Sequence, residues 1–200
     1  PLRALHAAGF EIAVVVTRPD KRRGRGATLS PSPVKAVALE LGLPVTDDLA
    51  AVLDADIDLG VVVAYGRIIP RKVLEAVPMV NLHFSLLPRW RGAAPVQHAI
   101  MAGDATTGAT VFRLVEELDA GEVLGQVTEP IGKHQTAGNL LGSLSESGAG
   151  LLTQVVNALA DGTARAHPQR GDVTVAPKLT LADGEIDWTQ SAEQIGARIR

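Results

Sequence analysis

Apolar positions along this chain gather into short runs separated by stretches of helical composition. Residues 12–17 (IAVVVT), 59–64 (LGVVVA) and 80–84 (VNLHF) have the β-branched, near-continuous character of strands buried on both faces. A shorter strand is expected at 43–45, and two more at 107–114 and 122–127, joined through Asp119-Ala120-Gly121. Residues 2–9 read as the end of a helix. Further helices are expected at 34–41, stopped by Gly42, at 48–54, at 70–76 and at 96–102, ended by Gly103-Asp104. Pro70 opens the third of these at a position where its missing N–H costs little. A long helix is expected from about Thr136 to Leu159, with Gly142, Gly148 and Gly150 weakening its middle, and Ser191 caps a last one. Residues 161–181 read as irregular or short-stranded. Strands alternating with helices predict an α/β domain with a mostly parallel sheet flanked by helices.

Composition sharpens this picture. With 46% hydrophobic but only 3% aromatic residues, the core must be built from Val, Leu, Ile and Ala, which suits a helix-covered sheet better than a β-sandwich. The absence of cysteine excludes disulfides and thiolate metal sites and is compatible with a reducing cytoplasm. No apolar run is long enough for a membrane-spanning helix. The net charge of −3 does not by itself advertise a nucleic-acid binder. Residues 1–180 read as one domain and 181–200 as the start of a linker. The chain opens at Pro1 without Met and ends inside an apparent helix, so it reads as a fragment.

The densest chemical signal is the run from Val80 to Pro95 (VNLHFSLLPRWRGAAP). Side chains alternate along a strand, so Asn81 and His83 share one face while Val80, Leu82 and Phe84 share the other. Two polar groups on an apolar strand are expensive without partners. They also sit toward the strand's carboxyl end, where open α/β sheets bind ligands. A buried Asn–His pair satisfied by backbone groups is the competing reading. Five scattered His and no HExxH spacing give no metal site.

Asn81-x-His83, followed by Ser85-Leu86-Leu87-Pro88-x-x-Arg91-Gly92, resembles the signature of the folate-dependent formyltransferases. Asp119-Ala120-Gly121 resembles that family's later Asp-x-Gly turn, where many members carry Thr at the middle position. The resemblance implies a Rossmann-like fold, 10-formyltetrahydrofolate as formyl-donor cosubstrate, and Asn81, His83 and Asp119 as the catalytic set. Asn81 Nδ2 and a protonated His83 would stabilise the oxygen of a tetrahedral intermediate. Asp119 would hold His83 charged and assist removal of the amine proton through a water. Ser85, Leu86, Leu87 and Pro88 would wall the folate, and Tyr65, Arg67 and Ile69 would line its pterin pocket.

Arg89-Trp90-Arg91-Gly92-Ala93-Ala94-Pro95, the stretch from Arg18-Pro19-Asp20 to Ser30-Pro31-Ser32-Pro33, and Glu185-Ile186-Asp187-Trp188 resemble the branch of that family that acts on methionyl-tRNA. The resemblance implies initiator methionyl-tRNA as partner, a role in translation initiation, and a cytoplasmic monomer without membrane attachment. It also implies a preceding first strand and a following β-barrel domain. Arg18, Lys21, Arg22, Arg23 and Arg25, with Asp20 the only acid among them and Gly24 and Gly26 between, form a basic segment suited to phosphates. A folate-dependent amino-sugar formyltransferase, or a non-catalytic folate-binding fragment, is the alternative.

Overall fold

The computed structural model describes residues 1–22 and 29–200. In chain order the elements begin with α1 (Leu2–Ala7), β1 (Val15–Val16), β2 (Lys21–Arg22), β3 (Leu29–Ser30), α2 (Pro33–Glu40) and β4 (Val45–Thr46). They continue through α3 (Ala51–Asp54), β5 (Gly60–Val63), α4 (Arg71–Ala76), β6 (Met79–His83), β7 (Arg91–Gly92) and α5 (Pro95–Met101). The rest are β8 (Thr106–Arg113), β9 (Val123–Pro130), α6 (Ala137–Ala160), β10 (Val175–Ala176), a 3₁₀ turn (Ala182–Gly184) and α7 (Ala192–Ile199).

The central sheet has the order β5-β6-β8-β9. The expected parallel arrangement holds for β5 with β6, and for the small pairs β1 with β4 and β7 with β10. The later half of the sheet is antiparallel: β8 runs against β6 despite the intervening α5, and β9 returns against β8 through the hairpin that carries Asp119. The strand expected over 12–17 is a ladder of two residues, limited by a partner, β4, that is itself two residues long. Ile12 packs against the core without ladder bonds.

Helices cover both faces. On one, Val80, Leu82, Ala109 and Val111 pack against Leu5 of α1 and Leu152, Val155 and Val156 of α6. On the other, Met79 joins Val52 of α3 with Val73 and Val77, on and just after α4. Leu82 is only 1% exposed, and burying such a side chain stabilises the fold by about 1.5–3 kcal/mol. The alternation of β6 therefore follows the sequence: Val80 and Leu82 face α6, while Met79, Asn81 and His83 share the opposite side.

The long helix α6 runs unbroken for 24 residues despite its glycines. The Thr136 side chain caps it by accepting from the Asn139 N–H at 3.2 Å. Gly148 does not weaken it, because its missing side chain lets α6 approach Leu82 and Ala109 of the sheet. Ser191 and Gln194 form a reciprocal capping box at the start of α7. Residues 181–200 fold back onto the body: α7 packs against α5, and Arg200 Nη1 donates to the carbonyls of Gly132 and Gln135. No helix among the described residues is long and apolar enough to cross a membrane.

Candidate active site

β6 delivers His83 to its carboxyl end, where the chain leaves the sheet as the loop 84–94. The His83 side chain is 7% exposed. Its Nε2 lies 2.8 Å from the Trp90 carbonyl oxygen, which can only accept, so Nε2 carries a proton. Nδ1 then faces Asp119, with Oδ2 at 3.7 Å. Asp119 is likewise buried and occupies the hairpin between β8 and β9 with φ +48°, a left-handed conformation that Asp tolerates better than most residues. Its Oδ2 accepts the Gly92 N–H at 2.7 Å. The structure thus brings together two of the three residues expected to do the chemistry.

Burial decides the protonation state of His83. Desolvation pushes the imidazole below its ordinary value, more strongly than the Asp119 charge and the Trp90 carbonyl raise it. The resting imidazole is neutral at pH 7, which corrects the expectation of a standing imidazolium. Asp119 is close enough to stabilise the charged form once a proton arrives, but not to hold it there beforehand.

Asn81 lies two residues earlier on the same face, paired in register with Phe112, while His83 pairs with Thr110. Its Oδ1 is buried without a hydrogen-bond partner among the described residues, and so is the Tyr65 hydroxyl. Buried polar atoms are almost always paired in folded proteins. Two orphans, one beside His83 and one in the segment after β5, fit a ligand that brings its own amide and ring donors and acceptors, as a formylated folate does.

The loop after β6 is fixed by bonds that no local pattern revealed. Thr110 Oγ1 donates to the Ser85 carbonyl at 2.7 Å and accepts from the Leu87 N–H at 3.2 Å and from Gln126 Nε2 at 3.0 Å, using its full capacity. Ser85 Oγ donates to the Arg89 carbonyl at 2.6 Å. Arg89 chelates Asp104 and lies over the Trp90 ring, whose indole N–H also reaches Asp104 at 2.8 Å. The Leu87–Pro88 bond is cis. Leu87 and Pro88 are buried, and Leu86 half-buried.

The other expected contacts are spread more widely. Ile69 packs into the core beside α4, while Arg67 is exposed and reaches the Asp47 carbonyl at 3.4 Å. Arg18 is exposed, its guanidinium alongside Gly66 in the Tyr65–Ile69 segment. Lys21 and Arg22 form an exposed strand paired with Leu29–Ser30, and Asp20 behind them is bound by Lys35 at 2.8 Å. Arg23 and Arg25 lie outside the described residues. A cleft of about 410 Å³ opens beside the hairpin, between Leu87, Gln126, His167, Gln169 and Arg170. None of the last four was singled out from sequence. No cluster of metal-ligating side chains occurs among the described residues.

Comparison with known proteins fixes the family. Residues 2–156 match the family described as formyl transferase. The chain belongs to that family. It is 49% identical over 208 residues to the methionyl-tRNA formyltransferase of Clavibacter sepedonicus, covering the whole of this chain and 68% of that protein. It is 51% identical over 211 residues to the methionyl-tRNA formyltransferase of Arthrobacter sp. (strain FB24), again with all of this chain and 68% of the relative. Among solved structures, the N-formyltransferase of Helicobacter canadensis in complex with folinic acid and dTDP-3-aminofucose superposes with a TM-score of 0.78 at 18% identity. That match covers all of this chain and 74% of the other, and it bears on the fold of this formyl transferase family member alone.

Proposed function

We propose that this chain catalyses transfer of the formyl group of 10-formyltetrahydrofolate to the amino group of initiator methionyl-tRNA, the reaction for which its half-identical relatives are named. The observation that carries the chemistry is the buried His83–Asp119 pair at the end of β6. The amine nitrogen attacks the formyl carbon, a new C–N bond forms, and the bond from that carbon to N10 of the folate breaks. One proton leaves the amine and one arrives at N10, so a group that takes up and returns a proton serves both halves.

His83 suits that task because it rests neutral, with Nδ1 free to accept. The imidazolium formed on proton uptake is paired with Asp119 in a buried site, where the attraction is strong. Asn81 acts on the oxygen of the tetrahedral intermediate, and the charged His83 joins it there as a donor. Asp119 Oδ2 is committed to Gly92, which leaves Oδ1 to assist removal of the amine proton through a water on its way to His83. Ser85 to Pro88, with Tyr65, Arg67 and Ile69, bind the folate. Arg18, Lys21, Arg22, Arg23 and Arg25 contact tRNA phosphates. Within this reading the protein works in the cytoplasm as a monomer, and residues 181–200 lead toward a further domain.

The test is formyl transfer by the full-length protein, with methionyl-tRNA and a dTDP-amino sugar as competing acceptors. Turnover confined to methionyl-tRNA is expected. Turnover of the sugar alone would replace this reading with the amino-sugar one, and turnover of neither would leave a folate-binding fragment.

A further inference from the structure

We propose that Gln169 is a positioning residue for Asp119, clamping the Asp119-Ala120-Gly121 turn so that the carboxylate stays on His83. This rests on the reading of Asp119 as a catalytic group. Gln169 lies in the irregular segment after α6, fifty positions from Asp119 in sequence, yet its amide spans the turn. Nε2 donates to the Asp119 carbonyl at 2.7 Å and to the Gly121 carbonyl at 2.9 Å. Its Oε1 accepts from Arg91 Nε at 3.2 Å and Arg91 Nη2 at 2.8 Å. Both donor hydrogens and both acceptor directions of the amide are therefore used.

Arg91 closes the circuit. It directly precedes Gly92, the residue whose N–H holds Asp119 Oδ2. One glutamine thus ties the backbone on both sides of the turn to the loop that grips the carboxylate. Within the turn itself support is thin: the Ala120 N–H reaches the Glu117 carbonyl only at 3.4 Å, and Asp119 is held left-handed. His83 is fixed by Trp90, and its 3.7 Å separation from the carboxylate is set by the position of the turn together with the grip of the Gly92 N–H.

The test compares Gln169→Leu, Gln169→Glu and Asp119→Asn, alone and combined, in steady-state formyl transfer by the full-length protein. A misplaced reacting group typically costs on the order of 100-fold. Gln169→Leu is expected to lower kcat by about that factor while changing KM for either substrate far less. Gln169→Glu keeps the acceptor for Arg91 and loses both donors to the turn, so it must show the same loss. It also carries the test if Gln169→Leu fails to fold. In an Asp119→Asn background neither substitution should reduce kcat further, because the residue being positioned is already disabled. Wild-type kcat in Gln169→Glu beside an impaired Asp119→Asn would overturn the clamp and leave the catalytic reading standing. Losses that simply multiply would overturn it too, marking a general structural role. Wild-type kcat in Asp119→Asn would bring down the catalytic reading first and the clamp with it.

Discussion

The backbone N–H of Gly92 points at Oδ2 of Asp119 from 2.7 Å, joining the loop after β6 to the β8–β9 hairpin at the point where His83 meets both. Gly92 does this at φ +119°, a conformation reserved almost wholly for glycine. A Cβ there would also lie 2.7 Å from the Ala176 carbonyl oxygen of the neighbouring strand. Gly92→Ala is therefore expected to cost about 1–3 kcal/mol of stability, the range for strained backbone. It should lower kcat as well, since the displaced N–H releases the carboxylate. Chemical denaturation beside steady-state kinetics checks both, and a variant of unchanged stability would mean the loop relaxes at no cost.

Asn81→Ala should act on kcat. If the amide stabilises charge that develops only in the transition state, its loss costs about 100- to 1,000-fold in turnover with little change in KM. The unpartnered Oδ1 adds a second expectation. The free protein should be little destabilised by the substitution, because Oδ1 has no hydrogen-bond partner among the described residues to lose. A change confined to the KM for folate would demote Asn81 to a binding residue.

Where sequence anticipated structure, the cause was local. The alternation of Val80 to His83 follows from strand geometry alone, and Thr136 and Ser191 cap helices because their hydroxyls reach N–H groups three residues on. What escaped was non-local. Gln169 shows no pattern marking it as a partner of a turn fifty residues away, and Thr110 reads as one more β-branched core residue until Leu87 and Gln126 converge on its hydroxyl. The neutral state of His83 escaped for a related reason. The sequence suggested a nearby acid, but only packing tells how much solvent is lost, and here that loss outweighs the acid.

The same balance makes stability depend on pH. In the unfolded chain His83 titrates at about 6.5, and burial holds it lower in the folded protein. Between the two values the unfolded state binds more protons, so stability rises with pH there. The contribution is fully present above the unfolded value and is lost as pH falls below about 6.5 toward the folded value. Urea midpoints measured at neutral and mildly acidic pH should therefore converge for wild type and His83→Gln as the solution is acidified, if the variant starts less stable. A gap independent of pH would mean His83 titrates alike in both states.

The basic segment separates an RNA-modifying enzyme from one that modifies a small sugar. Lys21 and Arg22 are exposed on a two-residue strand, with the nearby acid Asp20 engaged by Lys35 and so less able to compete for them. Each phosphate contact releases counterions from the nucleic acid, so affinity falls steeply with salt and each lost contact flattens that fall. Neutralising Arg22, Arg23 and Arg25 together is expected to weaken methionyl-tRNA binding and to reduce the salt slope by up to about three phosphates' worth. Folate affinity should hold, because Ser85 to Pro88 and Tyr65 to Ile69 belong to other segments. The measurement is tRNA affinity against salt concentration for wild type and triple variant, with folate binding as the internal control. An unchanged slope would mean that these arginines touch no phosphate, and a small-molecule acceptor would then fit the protein better than tRNA.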